Sequence, residues 1–299
     1  MQVTSNMVPD ILAAINQSQQ ALNIATEQVA TGKSVTVPSD NPTASAEMVQ
    51  NTIETADVDQ YTQNVSGVLS TVQTADSALS SVVTSLTQAV SLGTEGANGT
   101  NSAENQQAIA SQVQGLLSSV VSQANMTYQG SYLFGGTATT TPYTADPSSP
   151  SGYTYNGNND VNSIQVGDQQ SVQVNLPGSQ IFSNSSANVL GSLTSLVTAL
   201  QSGNTTAIGT ATAAVSSALN YVGQQRVIYG NTESQLNSQE TYLQQETVTL
   251  ASQATSLVDV NEAAAATNLS QAETDNDAAL AAAAKVLPNT LLNYLSAPS

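Results

Sequence analysis

The sequence predicts a mainly α fold, in which long helices from the two ends of the chain form a helical bundle or coiled coil around a small β-rich insert. Three observations predict it. Apolar residues recur at alternating spacings of four and three in both terminal parts of the chain. That period vanishes between Tyr128 and Phe182, where Gly, Pro, Asn and Asp rise. Seven of the twelve aromatic residues (Tyr128, Tyr132, Phe134, Tyr143, Tyr153, Tyr155 and Phe182) gather in the same stretch.

The first helix is read from Ile11, Ile15, Ser18, Leu22, Ala25 and Val29, a stripe with one small polar member. It runs into Gly32-Lys33-Ser34, the closing letters of a phosphate-binding loop. Such a loop needs a second glycine five residues earlier and a preceding strand; Glu27 stands at that position and a helix precedes it. Gly32 is therefore expected to close the helix in a left-handed C-cap, with Lys33 beside the negative end of the helix dipole. Val35-Thr36-Val37-Pro38 is expected to run extended, because Pro38 disfavours helix at Val37. Asn41-Pro42 then offers an N-cap followed by proline at the first helical position. Gly32, Lys33, Pro38, Ser39, Asp40 and Pro42 thus define a joint between two helices.

The second helix follows Val65, Leu69, Val72, Asp76, Leu79, Val83, Leu86 and Val90, with Asp76 as the polar intruder. A turn at Gly93, Gly96 and Gly99 leads to Ile109, Val113, Leu116 and Val120, completing an expected helical hairpin. In the insert, Ser163-Ile164-Gln165-Val166 and Ser171-Val172-Gln173-Val174 alternate apolar and polar around Gly167-Asp168, a hairpin pattern. Beyond it, Leu236, Leu243, Leu250 and Leu257 lie seven apart, and Ala265, Leu269, Ala272, Asn276, Ala279, Ala283 and Val286 continue a seam toward the end. The outer faces carry Ser, Thr, Gln and Asn instead of charge pairs, which suits side-by-side packing of many helices. Each stripe is too narrow for a stable core by itself, so the terminal helices are expected to fray until something covers them.

Composition excludes several function classes. Of 299 residues only 8% are charged, and Lys33, Arg226 and Lys285 are the only strong bases against 21 acids, a net charge of −18. Three cations release few counterions from a nucleic acid and grip an anionic bilayer poorly. With no His and no Cys, thiol chemistry, imidazole acid–base catalysis and Ser-His triads are unavailable. The longest apolar run, residues 278–287, is too short to span a bilayer and contains Lys285. The N-terminus lacks a basic n-region and an apolar h-region, so no cleaved secretory signal is expected.

Carboxylates are the remaining candidates for chemistry. Asp57/Asp59 and Asp275/Asp277 are two apart on helices and face different directions. Glu273 and Asp277 share a face, where a solvated acidic surface competes with a catalytic reading. Asp160 and Asp168 fit turn chemistry, and their spacing matches no calcium loop. The aromatic cluster reads as the core of a small sheet or as a carbohydrate-binding surface.

The layout of terminal helices enclosing a β insert resembles bacterial flagellin and its relatives, and particular motifs resemble the hook–filament junction proteins of that superfamily. They are TGKSVTVPSDNP (31–42), GSYLFGG (130–136), YNGN (155–158), IQVGDQQSVQVNLPGSQIF (164–182) and LLNYL (291–295). Gln2 and Ser34 stand where the family often has basic residues, and Asn41 where it usually has Asp. The resemblance implies a non-enzymatic structural adaptor without cofactor or metal, exported without a cleaved signal peptide to the extracellular flagellum. It implies a homo-oligomeric ring between a preceding hook-associated junction protein and flagellin, with an export chaperone and neither nucleic-acid binding nor membrane insertion. Residues 1–42 and 257–299 would form the inner coiled-coil layer. Residues 43–129 and 185–256 would form the halves of a helical rod, and 130–184 the outer β-rich insert. The expected assembly interface is Met7, Ile11, Ile15, Leu22, Val29, Leu257, Leu269, Leu280, Val286, Leu291, Leu292 and Leu295, with the joint between the layers. The alternative readings are a short flagellin that builds the filament itself, and an extracellular glycan- or ligand-binding surface protein.

Overall fold

The computed structural model describes residues 7–295, with side chains over 9–285. The elements are α1 (Met7–Thr31), α2 (Pro42–Gly96), α3 (Ala103–Ala124), β1 (Thr127–Tyr128), β2 (Ser131–Tyr132), β3 (Tyr143–Ala145), β4 (Tyr153–Tyr155), β5 (Ser163–Gly167), β6 (Gln170–Gln173), α4 (Gly178–Ile181), β7 (Ser183–Asn184), β8 (Ala187–Asn188), α5 (Val189–Ser202), α6 (Thr205–Val258) and α7 (Glu262–Leu295). The fold is helical, with long helices toward both ends and a small strand-bearing insert. Two compact units divide it, one built from the two ends of the chain (up to Ala56 and from Thr247) and one from Asp57–Glu246.

In the central unit α2 and α6 run antiparallel. Arg226 grips the Asp76 carboxylate with Nε and Nη2, each bond 2.8 Å, and Gln73 Nε2 donates to Glu233 Oε1 at 2.9 Å. The buried column of α2 is Val65, Val68, Val72, Ala75, Leu79, Val82, Leu86 and Ala89. Leu69, Val83 and Val90, expected at the centre of the stripe, stand half-buried on its flank. Both columns share alternate members, and packing selects the one with the small residues Ala75 and Ala89. Asp76 is thereby left at the margin, where it reaches a cation. In α3 the deep residue is Leu117, and Leu116 is half-buried.

Gly93 and Gly96 also depart from expectation, because both lie inside α2 and the turn follows them. The place of a Cβ on Gly93 is taken by the Thr212 side chain, and that on Gly96 by Leu200. Leu200 belongs to α5, a helix with no counterpart among the segments picked out by periodicity. It is capped by Asn188, whose Oδ1 accepts Gly191 N–H at 2.7 Å, and closed by Gly203 at φ 68°. Leu190, Leu193, Leu196 and Leu200 are buried, and α5 packs against α3.

The strands run from Thr127 to Asn188 and form four separate two-stranded antiparallel ribbons instead of one small sheet. In β5–β6, Ile164 pairs with Val172 and Gln165 with Ser171, and a bulge at Val166 brings Gly167 opposite Gln170. The tight loop is Asp168-Gln169, one residue later than expected, with Gln169 at φ 54°. Strands this short do not need a broad sheet, because helix side chains satisfy their edges. Asn64 Nδ2 donates to the Gln165 carbonyl at 2.8 Å, and Gln239 Nε2 to that of Val166 at 3.0 Å. Phe134, Tyr143, Tyr155 and Phe182 form the insert's aromatic core, with Phe134 and Phe182 edge to face at 5.2 Å and Tyr143 against Phe182 at 5.9 Å. Tyr128, Tyr132 and Tyr153 lie half-buried outside it.

Candidate assembly interface

The terminal unit is built on α1 packed antiparallel against α7. Ile11, Ile15, Ser18, Leu22 and Ala25 turn toward α7, and Ala265, Leu269, Ala272, Asn276, Ala279 and Ala283 turn toward α1. Of these seam residues, Ala25, Ala265, Ala272 and Ala283 are buried and the others half-buried. The two polar members of the stripes find each other, with Ser18 Oγ donating to Asn276 Oδ1 at 3.1 Å. A seam of alanines flanked by half-covered Ile and Leu lets two helices approach closely but buries little apolar area.

The expected interface residues therefore fall into two classes. Ile11, Ile15, Leu22, Leu257 and Leu269 are half-buried within the chain's own packing. Val29 and Leu280 are 44% and 45% exposed. Sequence reasoning missed Leu12 and Ile24, which are off the stripe and 52% and 56% exposed. Their signal was present as large apolar side chains on a helix flank otherwise rich in Gln, Asn and Thr. Gln2 and the side chains of Met7, Val286, Leu291, Leu292 and Leu295 lie outside the described residues.

The joint is more folded than an extended link. Gly32, at φ 70°, closes α1 with its N–H on the Gln28 carbonyl at 2.9 Å. Instead of running straight, Thr36 and Val37 curl around Asp40. Its Oδ2 accepts Thr36 N–H and Val37 N–H at 3.0 Å each, and the Thr36 hydroxyl at 3.1 Å. Asp40 N–H returns to the Val37 carbonyl at 3.0 Å, a turn with Pro38 and Ser39 at its two central positions. The Val37 and Thr36 amides hold the Asp40 carboxyl below the usual aspartate value. Asn41 caps α2 by accepting Ala44 N–H at 3.1 Å, so amide replaces carboxylate there without losing the cap. Ser34, at the other departure from the family pattern, donates its hydroxyl to the Val258 carbonyl at 2.9 Å.

The three insert motifs interlock. Gly178 N–H donates to the Phe134 carbonyl at 2.8 Å. The Tyr155 hydroxyl lies 3.0 Å from that oxygen and 2.9 Å from the Asn158 carbonyl oxygen. Asn158 N–H bonds to the Gly135 carbonyl at 3.2 Å, and its Oδ1 accepts Thr137 N–H at 2.8 Å. Gly136 is required at φ 71° with Asn158 filling the space of its missing Cβ. Burial pushes the Tyr143 hydroxyl well above the usual tyrosine value, although Ser183 Oγ lies 2.8 Å from it. These residues are spent on packing and hydrogen bonding. Among the described residues no cluster of three acids could hold a metal ion, and no helix is long and apolar enough to cross a membrane.

Comparison with known proteins agrees with this layout. The bacterial flagellin N-terminal helical region matches residues 4–139, and the bacterial flagellin C-terminal helical region matches residues 212–295. Flagellar hook-associated protein 3 of Salmonella typhimurium is 29% identical over 188 residues, covering 62% of this chain and 58% of that protein. The Escherichia coli protein of the same name is 29% identical over 189 residues, with the same coverage. The chain thus aligns with less than two thirds of the length of these curated relatives. The solved FlgL of Bacillus cereus shares the fold at a TM-score of 0.60 and 23% identity, covering 69% of this chain and 99% of that one. The flagellar junction protein FlgL of Legionella pneumophila does so at 0.61 and 16%, covering 71% and 100%. Because the paired terminal helical regions of one family match residues 4–139 and 212–295, together most of the chain, this chain belongs to the flagellin family.

Proposed function

We propose that the chain is a non-catalytic structural adaptor of the bacterial flagellum, joining a hook-associated protein to the flagellin filament by helix packing between subunits. The observation that carries this is the α1–α7 pair, whose alanine seam covers its large apolar side chains only in part and leaves Leu12, Ile24, Val29 and Leu280 in solvent. A helix pair of that kind gains stability when neighbouring subunits cover it. The names of the Salmonella and Escherichia coli relatives support placement at the hook end. In this reading residues 1–42 and 257–299 form the inner layer of a tube, 43–129 with 185–256 the rod around it, and 130–184 its outer face. The subunit is exported to the cell exterior without a cleaved signal, escorted by a chaperone, and closes into a ring of copies.

Deleting the gene from its host tests the assignment. Loss of an adaptor leaves hooks in place and releases unassembled flagellin into the medium. Loss of a filament subunit removes the filament protein itself, and that outcome would transfer the chain to the filament.

A further inference from the structure

Only two asparagines of the chain are followed by glycine, Asn98 and Asn156, and the fold treats them oppositely. Asn98-Gly99 lies in the exposed turn between α2 and α3. The side-chain carbonyl oxygen of Asn98, Oδ1, accepts the Thr100 N–H at 3.3 Å and the Thr100 hydroxyl at 3.1 Å. The space around Gly99 is open, for a Cβ placed there would meet nothing within 4 Å. Asn156 is exposed as well, but it is tied down on every side. Its Nδ2 donates to Thr144 Oγ1 at 2.8 Å, its N–H to the Pro142 carbonyl at 2.7 Å, and its own carbonyl accepts the Thr140 hydroxyl at 3.0 Å. A Cβ on Gly157 would run into the Tyr155 phenol and the Gly135 carbonyl.

We propose that Asn98 is a self-modification site, where the α2–α3 turn converts its own asparagine amide to a carboxylate in water. Solvent hydroxide removes the Gly99 amide proton, and that nitrogen forms a bond to Asn98 Cγ. The Cγ–Nδ2 bond breaks, Nδ2 takes up a proton and leaves as ammonia, and a cyclic imide remains. Water opens the imide at either carbonyl to give aspartate or isoaspartate, and nothing is oxidised or reduced. Negative charge develops on Oδ1 as the first bond forms, and both Thr100 donors already point at that oxygen, so their bonds strengthen in the tetrahedral intermediate. Glycine leaves the attacking nitrogen unshielded. The product carboxylate sits near Glu95 at the negative end of the α2 dipole, an unfavourable place. In isoaspartate the main chain runs through the former side chain, and the Asn98 main-chain carbonyl, which accepts Asn101 N–H at 3.1 Å, becomes the free carboxylate. The modified turn is looser and more acidic, while the motif around Asn156 stays intact. The inference concerns the chain's own chemistry and stands whether or not the adaptor reading holds.

Incubation of the full chain in mildly alkaline buffer, native or in urea, tests it. Amide loss at each asparagine is followed by peptide mass spectrometry, and isoaspartate is detected with a carboxyl methyltransferase specific for it. In urea the two Asn-Gly steps are expected to react at similar rates. Native buffer is expected to slow Asn156 about tenfold or more and to leave Asn98 at least as fast as in urea. Thr100→Val removes the hydroxyl donor and should slow Asn98 about fivefold in native buffer, with no change in urea. Continued protection of Asn156 in the same sample shows that the variant is folded. Gly99→Ala, whose methyl group enters open space, should slow Asn98 in both conditions. If folding protects Asn98 as strongly as Asn156, or if Thr100→Val leaves the native rate of Asn98 unchanged, the proposal fails.

Discussion

Replacing Leu12, Ile24 and Leu280 together by serine separates surface contacts from the arm's own packing. The three are 52%, 56% and 45% exposed, so about half of each side chain is still open to water. Full burial of a leucine or isoleucine is worth about 1.5–3 kcal/mol, which leaves about 0.8–1.5 kcal/mol per residue to be gained on assembly. The triple variant should therefore lose roughly 2–4.5 kcal/mol per subunit, or about 30- to 1,500-fold in association. The measurements are the unfolding temperature of the dilute protein and complementation of the deletion strain. The unfolding temperature of the central unit, which contains none of the three, should hold within about 2 °C, while motility is lost and flagellin appears in the medium. Ile15→Asp provides the contrast. Ile15 faces α7, so the charge should loosen α1 and α7 in the lone chain while the central unit stays folded. Full motility with the triple serine variant would refute the claim that these exposed side chains form the subunit contact.

The insert and the joint yield two further expectations. Gly178→Ala puts a methyl group 2.9 Å from the Phe134 carbonyl oxygen and 3.0 and 3.1 Å from the Tyr143 and Tyr155 rings. It should destabilise the central unit by about 1–3 kcal/mol in denaturant titration, and an unchanged midpoint would mean that the aromatic core is looser than described. Asp40 has a folded pKa below its ordinary value, so its contribution is complete above about pH 4 and disappears as pH falls through the folded value. The amide resonances of Thr36 and Val37 should titrate in that acid range and cease to do so in Asp40→Asn; identical titration in the variant would rule out the carboxylate as the latch.

Much of the arm architecture was legible because it rests on short-range rules. Gly32 closes α1 since a left-handed cap favours glycine, and Asn41-Pro42 opens α2 for reasons confined to a few residues. Even the two polar interruptions, Ser18 and Asn276, were visible as members of their stripes. Periodicity faltered where two apolar columns run side by side. In α2, Val68 and Leu69 or Val82 and Val83 satisfy the same spacing, and only the partner helix selects the first of each pair. The joint was misread as extended because Pro38 restricts Val37 but says nothing of the turn closed by the Asp40 carboxylate.

By itself the sequence determined the class of fold, the long helices toward both ends, the presence of a small strand-bearing insert and the lack of His and Cys side chains. These follow from composition and from spacings that each helix or strand expresses alone. Only tertiary structure decided that Ser18 meets Asn276, that the motifs around Phe134, Tyr155 and Gly178 close into one core, and that Gly32–Ser34 is stitched to Val258–Val260. Each of those contacts joins residues remote along the chain, and the free energy that selects one pairing among many arises only when whole elements are packed.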